Sequence, residues 1–202
     1  MIYYFLKYFI APIYLLIWRP IVHGKKNLRF SGGAIVISNH ASYIDPVLLA
    51  FVSKRTIRYM AKVELFQSKL SALFMKGLLA FPVNRSSADL KSIKQAAEIL
   101  QGGKVFGIFP EGTRSVTGRV DDFERGTAFI AVHSMQPVIP VYMDSTSYGF
   151  FKRPRIYVGK ALDTEAICSD ISRSQGIRLM HDKMTEAVND LERIALSENK
   201  PR

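Results

Sequence analysis

Cysteine is almost missing from this chain: Cys168 is the single thiol in 202 residues. That excludes an intramolecular disulfide and any cysteine cluster for zinc or iron–sulfur. The four histidines, His23, His40, His133 and His181, form no His-x-x-x-His pair, so no metal or other bound cofactor is expected. A reducing, cytosolic setting fits such a composition. Acidic residues are also few, 17 against 28 Lys plus Arg, which leaves a formal charge of +11. A surface of that sign suits an anionic partner: nucleic acid, anionic lipid headgroups or a phosphorylated substrate. The longest apolar stretch runs from Ile2 to Trp18, broken by Lys7 and Pro12. At about 1.5 Å per residue it rises about 25 Å, short of the roughly 30 Å hydrocarbon core of a bilayer. It lacks a preceding basic region and a following small-x-small site, so a signal peptide is not expected. There is no internal repeat, low-complexity tract or linker.

What is present is strongly patterned. Tyr3, Tyr4, Tyr8, Tyr14 and Trp18 suit an interfacial zone, and Arg19, Lys25, Lys26 and Arg29 follow at once. We read residues 1–19 as a membrane-embedding helix kinked at Pro12, seated in one leaflet or tilted across it on the cytoplasmic face of the cell membrane. Residues 20–202 then form one catalytic domain.

The chain is organised around Ser38-Asn39-His40-Ala41-Ser42-Tyr43-Ile44-Asp45-Pro46. The apolar run Ala34–Ile37 before it reads as a buried strand. Val47–Val52 after it reads as a helix, with Asp45 as N-cap and Pro46 at the first helical position. His40 and Asp45 are five residues apart. On one helix that spacing separates them by about 140°, and on one strand it puts them on opposite faces. A strand-loop-helix turn instead allows contact. The carboxylate can then fix the imidazole tautomer and leave the other ring nitrogen free to take a proton.

Further strands are expected at 21–30, 56–62, 78–83, 104–109, 138–143 and 155–160. Helices are expected at 64–76, 88–100 and 124–135, with a helical region from Asp163 to about Leu196. The alternation predicts an α/β fold with a mixed, largely parallel central sheet wrapped by helices. Three polar clusters then fall at strand C-termini: Asn39-His40, Asn84-Arg85, and Glu111-Gly112-Thr113-Arg114-Ser115. Ligands of open α/β sheets bind at that edge. Arg85 and Arg114 can converge there on a phosphate, with hydroxyls from Ser86, Thr113 and Ser115. Gly112 allows close backbone approach, and Glu111 orients an arginine or bonds an acceptor hydroxyl.

These blocks, with Phe-Pro-Val-Asn-Arg at 81–85, Phe-Pro-Glu-Gly-Thr-Arg-Ser at 109–115 and Val-Ile-Pro-Val at 138–141, resemble the four ordered blocks of the glycerolipid acyltransferase family. The match is closest to its 1-acylglycerol-3-phosphate acyltransferases and spans roughly residues 20–160. The resemblance implies a membrane-associated enzyme in which His40 is the general base and Asp45 its partner. Arg85, Glu111 and Arg114 then fall at acceptor-binding positions, with the arginines on the phosphate. The second block departs from the usual pattern at Leu79-Ala80. The implied reaction moves a fatty acyl group from acyl-CoA or acyl-ACP, as co-substrate, to the 2-hydroxyl of a lysophosphatidate. No acyl-enzyme on Ser42 or Cys168 is needed, and Cys168 is read as structural. Three other readings stay open: a different lysophospholipid or glycerol 3-phosphate as acceptor, a thioester hydrolase, and a nucleic-acid-binding protein. The last rests on charge alone, so nucleic acid is not an expected partner.

Overall fold

The computed structural model describes residues 2–83, 90–115, 117, 119–150 and 152–198. Seven strands form one sheet: β1 (Ile21–His23), β2 (Ala34–Ser38), β3 (Ile57–Lys62), β4 (Ala80–Val83), β5 (Val105–Ile108), β6 (Val138–Asp144) and β7 (Arg155–Val158). Their order is β1-β7-β6-β2-β5-β3-β4, and every neighbouring pair is parallel except β6 with β7. The helices are α1 (Ile2–Phe5), α2 (Ala11–Trp18), α3 (Asp45–Val52), α4 (Lys69–Gly77), α5 (Leu90–Gln101), α6 (Arg125–Ser134), α7 (Thr164–Cys168) and α8 (Arg173–Glu198). This is the expected mixed, mostly parallel sheet flanked by helices.

The central strand shows why it folds this way. Every residue of β2 is buried. Ile35 and Ile37 join the core under α5, α6 and α8, while Ala34 and Val36 join the core that includes Leu48 and Leu49 of α3. A parallel strand covered on both faces needs this continuous apolar run, with successive residues on opposite sides. Met180, Met184 and Val188, four residues apart on α8, are fully buried in the first core. Because β2, β3, β4, β5 and β6 run in one direction, the loops leaving their C-termini share one edge.

Three boundaries differ from the sequence reading. The strand expected at 21–30 stops at His23, because Gly24 turns left-handed (φ +70°). A Cβ there would lie 2.1 Å from the Val158 carbonyl oxygen, and Lys25–Leu28 makes a 3₁₀ turn instead. β4 begins at Ala80 because Leu79 also has positive φ, 61°. Asp45 is the first helical residue rather than the cap; Ile44 occupies the cap position without a side-chain bond. At the N-terminus, a π-helical stretch, Leu6–Ile10, separates α1 from α2. Pro12 has no N–H to donate, and the shift to the wider ladder, with Ala11 N–H reaching Leu6 O, lets the helix pass it. No helix among the described residues is long and apolar enough to cross a membrane.

Asn39 extends the sheet with its side chain. Its Nδ2 donates to Met143 O at 3.1 Å, and its Oδ1 accepts from Met143 N at 2.7 Å. The side-chain amide thus copies a backbone pair where β2 has ended, freeing the main chain to turn toward His40. Asn39→Ala leaves both Met143 groups buried and unmet. It should lower stability by about 2–6 kcal/mol in urea unfolding, at about 1–3 kcal/mol for each of the two orphaned groups. A loss below about 0.5 kcal/mol would contradict this role.

Candidate active site

The turn from β2 into α3 brings His40 and Asp45 together. His40 Nδ1 lies 3.0 Å from Asp45 Oδ2. The same oxygen accepts from the backbone N–H of Ala41 (2.8 Å) and Ser42 (2.7 Å), and Oδ1 accepts from the Tyr148 hydroxyl (2.8 Å). Asp45 is fully buried, yet all its contacts are donors. This explains its displacement from the cap position: the carboxylate turns back into the loop that precedes the helix. A carboxylate surrounded by donors can only accept, so His40 Nδ1 is the donor of this pair, and in the neutral ring Nε2 is the nitrogen with the lone pair. Nε2 has no hydrogen-bond partner among the described residues. Burial first, then the Asp45 charge and hydrogen bond, hold the Tyr148 phenol well above its ordinary pKa, so it stays a donor.

The imidazole is further fixed from below and behind. Its ring stacks on Phe109, with centroids 4.3 Å apart, and Phe109 stacks in turn on Tyr59. Tyr59 O–H donates to Pro46 O at 2.9 Å. The main chain of His40 is held on both sides by the 109–115 block. Its N–H donates to Glu111 Oε2 at 3.1 Å, and its C=O accepts from Ser115 N–H at 2.7 Å.

Glu111 therefore does something other than orient an arginine. It is buried, and its second oxygen accepts from Asp121 N–H at 3.3 Å. Its carboxyl is pushed up to about 7, mainly by burial, against the lowering effect of the His40 and Asp121 N–H groups. Arg114 is exposed and lies over the Tyr43 ring, 3.6 Å from the centroid. Gly112 adopts φ +72°, Thr113 is exposed at the loop surface, and Ser115 Oγ shares a hydrogen bond with Thr117. Arg85, with Asn84 and Ser86, falls outside the described residues. Several basic side chains are engaged internally, among them Arg155 and Arg55. Arg155 pairs with Asp144 through Nη2 at 2.8 Å, and Arg55 donates to the carbonyls of Phe30, Gly32 and Gly103.

Tyr148 and Asn39 are the contributors that sequence reasoning missed. Tyr148 stands 103 positions from Asp45, beyond β6, and no local spacing links them. Beside the pair, an apolar cavity is lined by Tyr3, Leu6, Pro46, Val47, Ala50 and Leu78, among others. It starts at the residue after Asp45. The N-terminal segment forms its wall and is tied to the body by Tyr3 O–H, which accepts from Ile57 N–H, and by Lys7 Nζ, which donates to Arg55 O. Burial lowers the Lys7 ammonium to about 8.

A parallel α/β sheet with a buried-carboxylate histidine at its C-terminal edge and an Arg-bearing loop alongside matches one family by sequence. The Acyltransferase family model covers residues 19–144, and the chain belongs to that family. Within it, the chain is 31% identical over 176 residues to the 1-acyl-sn-glycerol-3-phosphate acyltransferase of Bacillus subtilis, covering 85% of this chain and 87% of that one. It is 28% identical over 138 residues to the enzyme of the same name from Borreliella burgdorferi, covering 65% and 54%. The crystal structure of the 1-acyl-sn-glycerophosphate (LPA) acyltransferase PlsC from Thermotoga maritima shares the fold, with a TM-score of 0.67 over 90% of this chain and 76% of that one, at 23% identity.

The Glu111 carboxyl yields a pH prediction. Folded Glu111 keeps its proton up to about pH 7, whereas the unfolded chain releases it near 4.5. The folded state binds more protons across that window, so stability falls as pH rises through it. Wild type should lose stability relative to Glu111→Gln by up to about 1.4 kcal/mol per pH unit there, with no further change above. Thermal unfolding of both proteins at a series of pH values checks this; a pH-independent difference would contradict it.

Proposed function

We propose that this protein transfers a fatty acyl group from an acyl thioester to the 2-hydroxyl of 1-acylglycerol 3-phosphate, giving phosphatidic acid. The observation that carries the chemistry is the His40 ring, anchored through Nδ1 with Nε2 unpartnered among the described residues. Nε2 takes the proton of the acceptor hydroxyl as its oxygen attacks the thioester carbonyl. The C–O bond forms, the tetrahedral intermediate collapses, the C–S bond breaks, and the thiolate departs and takes up a proton. Asp45 supports the imidazolium while it is charged. The N–H groups of Gly112 and Ser115 already bond Phe109 O and His40 O, which leaves those of Thr113 and Arg114 as candidates for the oxyanion.

Arg114 holds the acceptor phosphate, joined by Arg85, with the Thr113 hydroxyl beside it. Glu111, Gly112 and Ser115 shape this loop and keep His40 in place. No bound cofactor takes part, and acyl-CoA or acyl-ACP serves as donor. The enzyme sits on the cytoplasmic face of the cell membrane through residues 1–19. Supporting that seat, Phe5, Phe9, Leu16 and Ile17 are more than half exposed, as are Leu70 and Leu73 on α4. Residues 20–202 are then the catalytic domain working at that interface.

Turnover with a thioester donor and lysophosphatidate tests the reading. His40→Ala should lower kcat by a factor of about 10²–10⁴ and leave vesicle binding unchanged. Arg114→Ala should raise KM for lysophosphatidate by roughly tenfold or more, the scale of a lost charged hydrogen bond. Tyr148→Phe should lower kcat, with KM little changed, since it removes a donor that holds Asp45. Thiol release that proceeds equally without acceptor would instead indicate a hydrolase. An Arg114→Ala enzyme with wild-type KM would overturn the phosphate assignment.

A further inference from the structure

A second cavity, between the end of α2, the end of α3 and the β1–β7 edge of the sheet, takes no part in the chemistry above. It holds about 210 Å³. Its floor is apolar, with Leu15, Val22 and Phe51, and its rim carries Arg19, Lys25 and Arg153. All three cations are exposed, no acidic residue lines the cavity, and none of the three forms an ion pair among the described residues. Like charges on flexible side chains ordinarily spread apart. Here hydrogen bonds hold two of them at one rim: Arg153 Nε donates to Arg19 O at 2.9 Å, and Arg19 Nε to Leu16 O at 3.3 Å. Arg19 itself closes α2 in the left-handed conformation, φ 44°. The electrostatic complement of such a rim is an anion of more than one charge or several oxygens, and guanidinium favours phosphate.

The floor narrows the choice. An apolar base under a cationic rim fits an amphiphile, with its charged head at the rim and its body below. The outer face of α2 continues that apolar path, since Leu16 and Ile17 are 69% and 61% exposed beside the rim. We propose that this cavity binds the phosphate headgroup of an anionic phospholipid, at a site sharing no residue with the His40, Asp45, Glu111 and Arg114 cluster. It rests on the reading that residues 1–19 lie in the membrane interface. Its consequence is that one lipid fixes the end of α2 at headgroup depth and so sets the height of the catalytic edge.

The test is vesicle flotation of the full chain with neutral phosphatidylcholine vesicles and with vesicles also containing phosphatidylglycerol. Two triple variants are compared: Arg19→Ala, Lys25→Ala, Arg153→Ala at the cavity, and Lys91→Ala, Lys94→Ala, Arg173→Ala on exposed helix positions elsewhere. At about fivefold per cation near an anionic surface, the cavity variant should lose on the order of a hundredfold in affinity for the anionic vesicles. Its affinity for neutral vesicles should not change. The distant variant, with the same charge removed, should lose no more than a few-fold. Equal losses in the two triple variants mean general surface charge and overturn the site. Displacement of wild type from anionic vesicles by inorganic phosphate at matched ionic strength, beyond that by chloride, means a free-phosphate site and overturns the lipid assignment. Wild type bound equally to both vesicles overturns the headgroup site while leaving the membrane seat standing. Wild type bound to neither overturns both.

Discussion

The buried carboxylate of Asp45 is the constraint on which the rest of the site depends. A charge with no water around it has to be met by donors, and four converge on it: two loop N–H groups, one phenol and one imidazole N–H. Each donor comes at the cost of a defined backbone path. The loop between β2 and α3 has to curl around the carboxylate, and the segment after β6 has to return to deliver Tyr148. The imidazole, held by one nitrogen, then has a fixed tautomer and a fixed direction for the other. The direction in which Nε2 points thus follows from satisfying a buried acid.

The 109–115 block serves the same end from the opposite side. Glu111 and Ser115 grip the His40 main chain, Phe109 supports the ring, and Arg114 rests over Tyr43, which belongs to the His40 loop. Two segments that are neighbours only because β2 and β5 pair in parallel are thereby locked together at the sheet edge. That interlocking also explains why a carboxyl as buried as Glu111 is retained although burial works against its charge: it bonds two backbone amides that have no other partner among the described residues.

Much of this was legible in the sequence. The contact of His40 with Asp45 followed from their spacing, which excludes contact on a helix or strand and permits it in a turn. The α/β alternation and the gathering of polar clusters at one edge followed from strand-sized apolar runs that end in polar residues. What escaped was carried by distance along the chain. Asn39 bonds Met143 and Tyr148 bonds Asp45, each more than a hundred positions away, and no periodicity points across such gaps. Glu111 was expected to orient an arginine or bond an acceptor hydroxyl; the parallel pairing of β2 with β5 sets its carboxyl against the His40 amide, which lies far off along the chain. The pairing of Arg155 with Asp144 likewise depends on the antiparallel register of β6 with β7. The Arg85 expectation falls on residues the structure does not describe.

In the neutral ring Asp45 holds the proton on Nδ1 of His40 and leaves Nε2 open. The ¹⁵N chemical shift of each His40 ring nitrogen in the resting protein, at a pH where the ring is neutral, tests this directly. Expected are a protonated, pyrrole-type Nδ1 and a pyridine-type Nε2, with both signals collapsing toward the mixed-tautomer values in Asp45→Asn. A protonated Nε2 with a bare Nδ1 in the wild-type protein would contradict it.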